Sequence, residues 1–430
     1  MKRRHMLKAL AGGLVTTPFL TAYPARAGRR AARKGGLKKL LVVFQRGGND
    51  SLNTLIPTGG SQNTYYHNLR PDLGIPSNQL LNVPNSGFFG LHPAMAPLAP
   101  IMAGGNLSFI HAVGYPGADR SHFESQSYFE TAVPGNGLLD GWINRYLAVT
   151  AGGGAPIRGI GIGWNIPQSV QGSLAIPVSL NFGTSEVGTD GNLNNTDADA
   201  YRDKLAQLLG QTPGAGNESV YETGQSIFQM IDSFADRNLQ TYAPENGAVY
   251  PTGYFGDVIR HAAQMLKDSP SYLGIECCVI DQGGYDTHAG QITPGSPGDA
   301  TTGQGYLLNE LAQGLAAFYT DLGSARMNDT LVLVVSEFGR RAYQNDSFGT
   351  DHGIGSLVMV MNNNVSGLAH NGDGNWPGLA PGNLVDGGDL AWVTDYRDIY
   401  WEILSRHMGA SEPEINTVIP GHTWSPVNFL

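Results

Sequence analysis

The sequence predicts an α/β protein, a three-layer sandwich in which helices cover both faces of a mostly parallel central sheet, with loop-rich insertions. Two observations carry most of this. Residues 331–335 and 357–361 are unbroken apolar runs rich in β-branched side chains, as in strands buried on both faces, and 39–44, 107–113 and 273–280 are further strand candidates. Residues 306–322 carry Leu307, Leu308, Leu311, Leu315, Phe318 and Leu322 at helical spacing, and 254–267 reads as another helix. A third observation concerns the loops. Glycine-bearing segments with charged or imidazole side chains follow the strands, and open α/β sheets place their chemistry just beyond the carboxyl ends of the strands.

In chain order, residues 1–27 stand apart. Lys2, Arg3 and Arg4 precede a mild apolar stretch, and Ala25-Arg26-Ala27 is a small-x-small cleavage pattern, so the segment reads as a twin-arginine export signal. Residues 28–37 follow as a basic linker, and 38–430 as one α/β domain with an insertion at about 151–200. Removing 1–27 takes five basic and no acidic residues, moving the formal charge from −10 to −15. An acidic mature chain argues against nucleic acid as a partner. No later stretch reaches membrane-spanning length. The expected location is therefore periplasmic or extracellular, reached through the export machinery. Cys277 and Cys278 are adjacent, which in a strand sends them to opposite faces as free thiols.

After the 39–44 strand comes R-G-G-N-D-S. Asp50 there is either a metal ligand or the N-cap of a short helix. Residues 65–90 read as an irregular excursion, and 95–102 as a short helix before the 107–113 strand. Ser121, with Glu124 three residues on, forms a capping-box pattern, and a serine at a helix start is also where backbone amides favour an anion. Helical spacing recurs over 199–209 and 220–238. The 273–280 strand leads to D-T-H, in which Asp286 and His288 can turn to one cation. Between the 331–335 and 357–361 strands lie Glu337, Arg340, Asp351 and His352, where a metal or an anion would be handled. Residues 363–393 are a second loop-rich excursion, and Asp395 caps a last helix.

As a set, R-G-G-N-D-S, L-H-P-A-M, R-S-H-F, D-T-H-A-G-Q, S-E-F-G-R and G-T-D-H-G resemble domain-of-unknown-function family 1501 over residues 38–409. That family is grouped with the alkaline phosphatase and sulfatase superfamily. The resemblance implies an alkaline-phosphatase-like sheet with divalent metal (zinc, calcium, magnesium or manganese) at its carboxyl edge. It assigns Asp286, His288 and His352 to a first metal site, Asp50 and Glu337 to a second, and Ser121 to the nucleophile position. Phe338 stands where the second site has a ligand and cannot coordinate, and no sulfatase activation motif is present. The expected activity is hydrolysis or transfer of phosphate or related oxyanion esters of small molecules or glycans. Arg46 or Arg340 would clamp the oxygens and His122 would carry a proton. The alternative is a non-catalytic exported binding or envelope-associated protein on the same scaffold.

Overall fold

The computed structural model describes residues 37–135, 140–150, 158–163, 165–172, 178–180, 242–267, 274–366 and 375–430. The expected signal, most of the basic linker, most of the 151–200 insertion and the helices at 199–209 and 220–238 lie outside the described residues. The strands, in chain order, are β1 (Lys39–Gln45), β2 (Leu55–Pro57), β3 (Leu81–Asn82), β4 (Phe89–Leu91), β5 (Leu107–Gly114), β6 (Gly159–Ile162), β7 (Val178–Leu180), β8 (Cys277–Gln282), β9 (Thr330–Ser336), β10 (Ser356–Met361) and β11 (Thr394–Asp395). Eight form one sheet in the order β11-β5-β10-β9-β1-β8-β6-β7, and β2, β4 and β3 form a small second sheet.

The long strands are apolar throughout because both faces are covered, so alternate residues enter different cores. Leu41, Val43, Cys278, Ile280, Val332 and Val334 meet the helices Tyr254–Lys267 and Gly303–Met327. Leu40, Val42, Cys277, Val279, Leu331 and Leu333 meet Trp142, Tyr396, Ile399 and Ile415 on the other side. Cys277 and Cys278 are accordingly buried free thiols on opposite faces. Asp395 caps the helix Tyr396–Glu402 by accepting from the Arg397 amide. The expected irregular 65–90 stretch includes the end of a helix, Gly60–Leu69, the strand β3 and the start of β4. No helix among the described residues is long and apolar enough to cross a membrane.

One expectation about the sheet is corrected. The run at 357–361 is a central strand, but β10 is antiparallel to both β9 and β5. The connection from β9 contains no crossover helix, and without one the chain returns in the opposite direction.

This arrangement positions the candidate site. In β1, β8 and β9, Gln45, Gln282 and Ser336 are in register, so the three following loops leave the sheet side by side. The residues after β5 emerge at the same edge, where β10 begins opposite Val113.

Candidate metal centre

His122 opens the helix His122–Thr131 beyond β5; Asp286 and His288 lie in the loop after β8; Glu337, Asp351 and His352 lie between β9 and β10. Each of the three imidazoles has its Nδ1 against a group that can only accept. His122 Nδ1 donates to Glu337 Oε1 at 2.9 Å, His288 Nδ1 to Asp351 Oδ1 at 2.9 Å, and His352 Nδ1 to the Arg120 carbonyl at 2.8 Å. These partners fix the tautomers: in the neutral rings every Nε2 carries a lone pair.

Those Nε2 atoms converge on Asp286. His122 Nε2 is 3.5 Å from Oδ2; His288 and His352 Nε2 are 3.2 and 3.1 Å from Oδ1 and 2.9 Å from each other. His122 Nε2 is buried and has no hydrogen-bond partner. Lone pairs this close repel unless a proton or a metal cation lies among them. Ligand atoms about 2 Å from one tetrahedral ion sit about 3.3 Å apart, and the observed separations of 2.9–3.5 Å match that scale. Suitable atoms of His122, Asp286 and His352 all lie within 4.8 Å of one another. Three imidazoles and one carboxylate suit a borderline divalent ion of the zinc type. Asp286 and His288 are exposed, so the cluster is open to solvent.

The surrounding groups set the charge of the cluster. Burial works to raise the Asp286 pKa, but the Arg340 guanidinium and His352 outweigh it and hold the carboxyl at about 2. Burial likewise opposes ionisation of Glu337, yet hydrogen bonds from His122, Gln126 and the Gly47 amide keep its pKa below the ordinary value. The bond to Glu337 raises His122, and burial lowers His352. Three carboxylates (Asp286, Glu337, Asp351) and one guanidinium (Arg340) contact the ligand set directly, so the local field favours a cation.

Two glycines permit the approach of the loops. A Cβ on Gly47, whose φ is +117°, would lie 2.4 Å from the Asp286 amide nitrogen, and one on Gly349 would lie 2.3 Å from the His288 carbonyl oxygen. Phe338 is a wall of the site, its ring packed on His122 and His352 at centroid distances of 4.9 and 4.8 Å.

The candidate metal group is thus His122, Asp286 and His352, with His288 beside it through Asp286 Oδ1 and His352 Nε2. Asp50 and Glu337 stand elsewhere. Asp50 is buried, caps the helix Ser51–Thr54, and is gripped by Arg70 at 2.6 and 3.0 Å and by Gln291 at 2.6 Å, which saturates its oxygens with protein donors. Glu337 lies behind His122, its oxygens accepting from His122, Gln126, the Gly47 amide and Ser336. The two expected clamps are also committed. Arg340 is buried against the carbonyls of Gly47, Gly48, Tyr285 and Thr350 and the Asp286 carboxylate. Arg46 binds Asp281, Gln126 and Glu130. The capping box at Ser121 does not form: its amide donates to Asp119 Oδ1 at 2.6 Å, and its hydroxyl makes no capping bond. Ser121 nevertheless lies between two residues tied to the cluster, Arg120 through its carbonyl and His122 through its ring.

Residues 263–366 match the model of a protein family of unknown function, DUF1501. The match includes Asp286, His288, Glu337 and His352 and stops short of Ser121 and His122. No curated protein matches the sequence. Among solved structures, an alkaline phosphatase from the Antarctic bacterium TAB5 aligns over 88% of this chain and 100% of its own, at 10% identity and a TM-score of 0.33.

Sequence reasoning missed Asp351 as the anchor of His288, Arg120 as the anchor of His352, and Arg70 and Gln291 around Asp50. Asp351, Arg120 and Gln291 stand in motifs quoted above, but nothing in the motifs shows these contacts, and Arg70 had no local signal. Arg120 and His352 are 232 positions apart, and a contact of that range leaves no mark on spacing.

Proposed function

We propose that the chain is an exported, metal-dependent hydrolase or transferase acting on phosphate or related oxyanion esters, with one divalent ion held by His122, Asp286, His288 and His352. The observation that carries the reading is the convergence of three Nε2 lone pairs on one carboxylate while every Nδ1 is anchored. Such anchoring of the second nitrogen is what orients imidazole ligands. When bound, the ion would polarise ester oxygens and offset the negative field that otherwise repels an anionic substrate.

The chain's own residues then have distinct tasks. Glu337, Asp351 and the Arg120 carbonyl hold the rings in place. Ser121 is the candidate nucleophile: its hydroxyl is not spent on capping, and it starts a helix whose first amides have no intrahelical partner. Arg46 and Arg340 serve as braces for the loops, because their donors already face protein acceptors.

The direct test is elemental analysis of protein purified without chelator, together with thermal melts before and after chelation. About one equivalent of divalent metal, lost in His288→Ala and His352→Ala, is expected, with a melting temperature that drops on chelation. Unchanged melting and no bound metal would overturn the metal reading. The binding-protein alternative draws support from the committed state of Arg46 and Arg340, and it takes over if metal-replete protein turns over no phosphate mono- or diester and no sulfate ester. Export rests on Arg3-Arg4 and the apolar stretch behind them. Replacing both with lysine should leave the precursor inside the cell, and normal export of that variant would reject the twin-arginine route.

A further inference from the structure

Asp50, left outside the metal cluster, belongs to a buried frame that meets both ligand-bearing loops at one side chain, Gln291. The Gln291 amide is wholly buried and all four of its hydrogen-bonding positions are filled. Its Oε1 accepts from Thr287 Oγ1 at 3.0 Å and from Thr350 Oγ1 at 2.6 Å. Its Nε2 donates to Asp50 Oδ2 at 2.6 Å and to Gln304 Oε1 at 3.0 Å. The Asp50 carboxylate only accepts, so the amide cannot be turned the other way.

The two threonines mark what this contact controls. Thr287 lies between Asp286 and His288, and Thr350 immediately precedes Asp351 and His352. The Thr350 amide also donates to the Thr287 carbonyl at 3.1 Å, so the two loops are joined by backbone as well as through Gln291. On the far side, Asp50 is locked by Arg70, whose guanidinium also donates to the carbonyls of Arg341 and Ala342 in the loop that carries His352. The frame is thus closed: β1 loop, Gln291, both ligand loops, Arg70 and back to Asp50.

We propose that Gln291 is a positioning residue for the metal centre, setting the register of the Asp286–His288 loop against the Asp351–His352 loop so that their donor atoms converge. The proposal rests on the metal reading above. Groups that hold ligands from behind typically change metal affinity about tenfold to a hundredfold when removed.

The test is zinc competition against a chromogenic chelator, using the full chain at a temperature well below its melting point, with circular dichroism to confirm folding. Gln291→Met is expected to weaken zinc binding by about tenfold to a hundredfold. Thr350→Val, which removes one hydroxyl at nearly constant volume, should weaken it by a smaller factor, and Thr350→Ser, which keeps the hydroxyl, should bind like the wild type. Thr350→Val decides the matter if Gln291→Met does not fold. A purely structural role predicts lower melting temperatures with unchanged affinity in the folded variants, and that result overturns the proposal while leaving the metal site intact. A wild type that binds no zinc overturns the metal reading itself.

Discussion

Two buried histidines outside the metal cluster make a quantitative prediction about pH. His92 and His407 are 1% and 6% exposed, and burial lowers each pKa from 6.5 to about 4. The His92 contact agrees with a neutral ring. His92 Nδ1 accepts the Ala94 amide at 3.0 Å, a bond that a proton on Nδ1 would destroy, and His407 Nε2 donates to the Lys39 carbonyl at 3.0 Å. With the folded pKa below the unfolded one, the unfolded chain binds more protons throughout that interval. Stability is therefore highest above the unfolded value and is lost as pH falls from 6.5 towards 4, with no further loss from these groups below that. Between about pH 7.5 and 5.5 the linkage relation gives about 1.3 kcal/mol per histidine. Asp50, near His92, and Asp329, near His407, favour protonation, whereas Lys38 opposes it at His407, and burial outweighs them all. Glu130 and Asp389, whose pKa values burial raises, act in the opposite sense at the acidic end of the range. Urea melts of chelated protein at the two pH values should show the loss. His92→Asn keeps a side-chain acceptor for the Ala94 amide, and His407→Gln keeps a donor for Lys39, but neither titrates. Each variant should lose about 1.3 kcal/mol less than the wild type over the same interval. If both variants follow the wild-type pH dependence, the two rings are not held neutral by burial and the reasoning fails.

Three further outcomes bear on the candidate site. Glu337→Gln keeps the shape but removes the charge behind His122, and zinc competition should show affinity reduced about tenfold to a hundredfold with the fold intact; unchanged affinity would remove Glu337 from the account. Gly47→Ala forces a Cβ against the Asp286 backbone at a φ of +117°, so a stability loss of about 1–3 kcal/mol and lowered metal content are expected from melts and elemental analysis. Ser121→Ala should abolish hydrolysis of activated aryl phosphates with metal content unchanged, and should change stability by no more than about 0.5 kcal/mol because no capping bond is lost; full retained activity would remove the serine from the nucleophile role.

The strands were legible because β1, β5, β9 and β10 are buried on both faces, and only sustained apolar runs satisfy that. The helix Tyr254–Lys267 was legible through its spacing. The direction of β10 was not, since an apolar run has no polarity of its own; the cue lay in the missing crossover helix before it. At the site, Asp286, His288 and His352 were grouped through the family resemblance, and their place after the strands alone left a solvated loop as an equal reading. Their orientation could not be read, because it is set by Asp351 acting across to the other loop and by a carbonyl at Arg120.

Asp50 and Phe338 show how the same limit leaves a side chain's partners unread. Asp50 does end up beside the ligand loops, as its place after β1 requires. A side chain's role, however, depends on the charge it meets, and the cation it meets is Arg70, supplied by the end of the helix Gly60–Leu69. A guanidinium that donates twice to the carboxylate fills its lone pairs with fixed geometry, so the carboxylate fixes backbone where it could have held an ion. Phe338, noted as a residue unable to coordinate, has the complementary task. Its ring lies against His122 and His352 and limits the positions those rings can adopt. Both residues shape the candidate metal centre from outside its donor group. Their substitution should therefore act through the orientation of the histidines, with no donor atom removed.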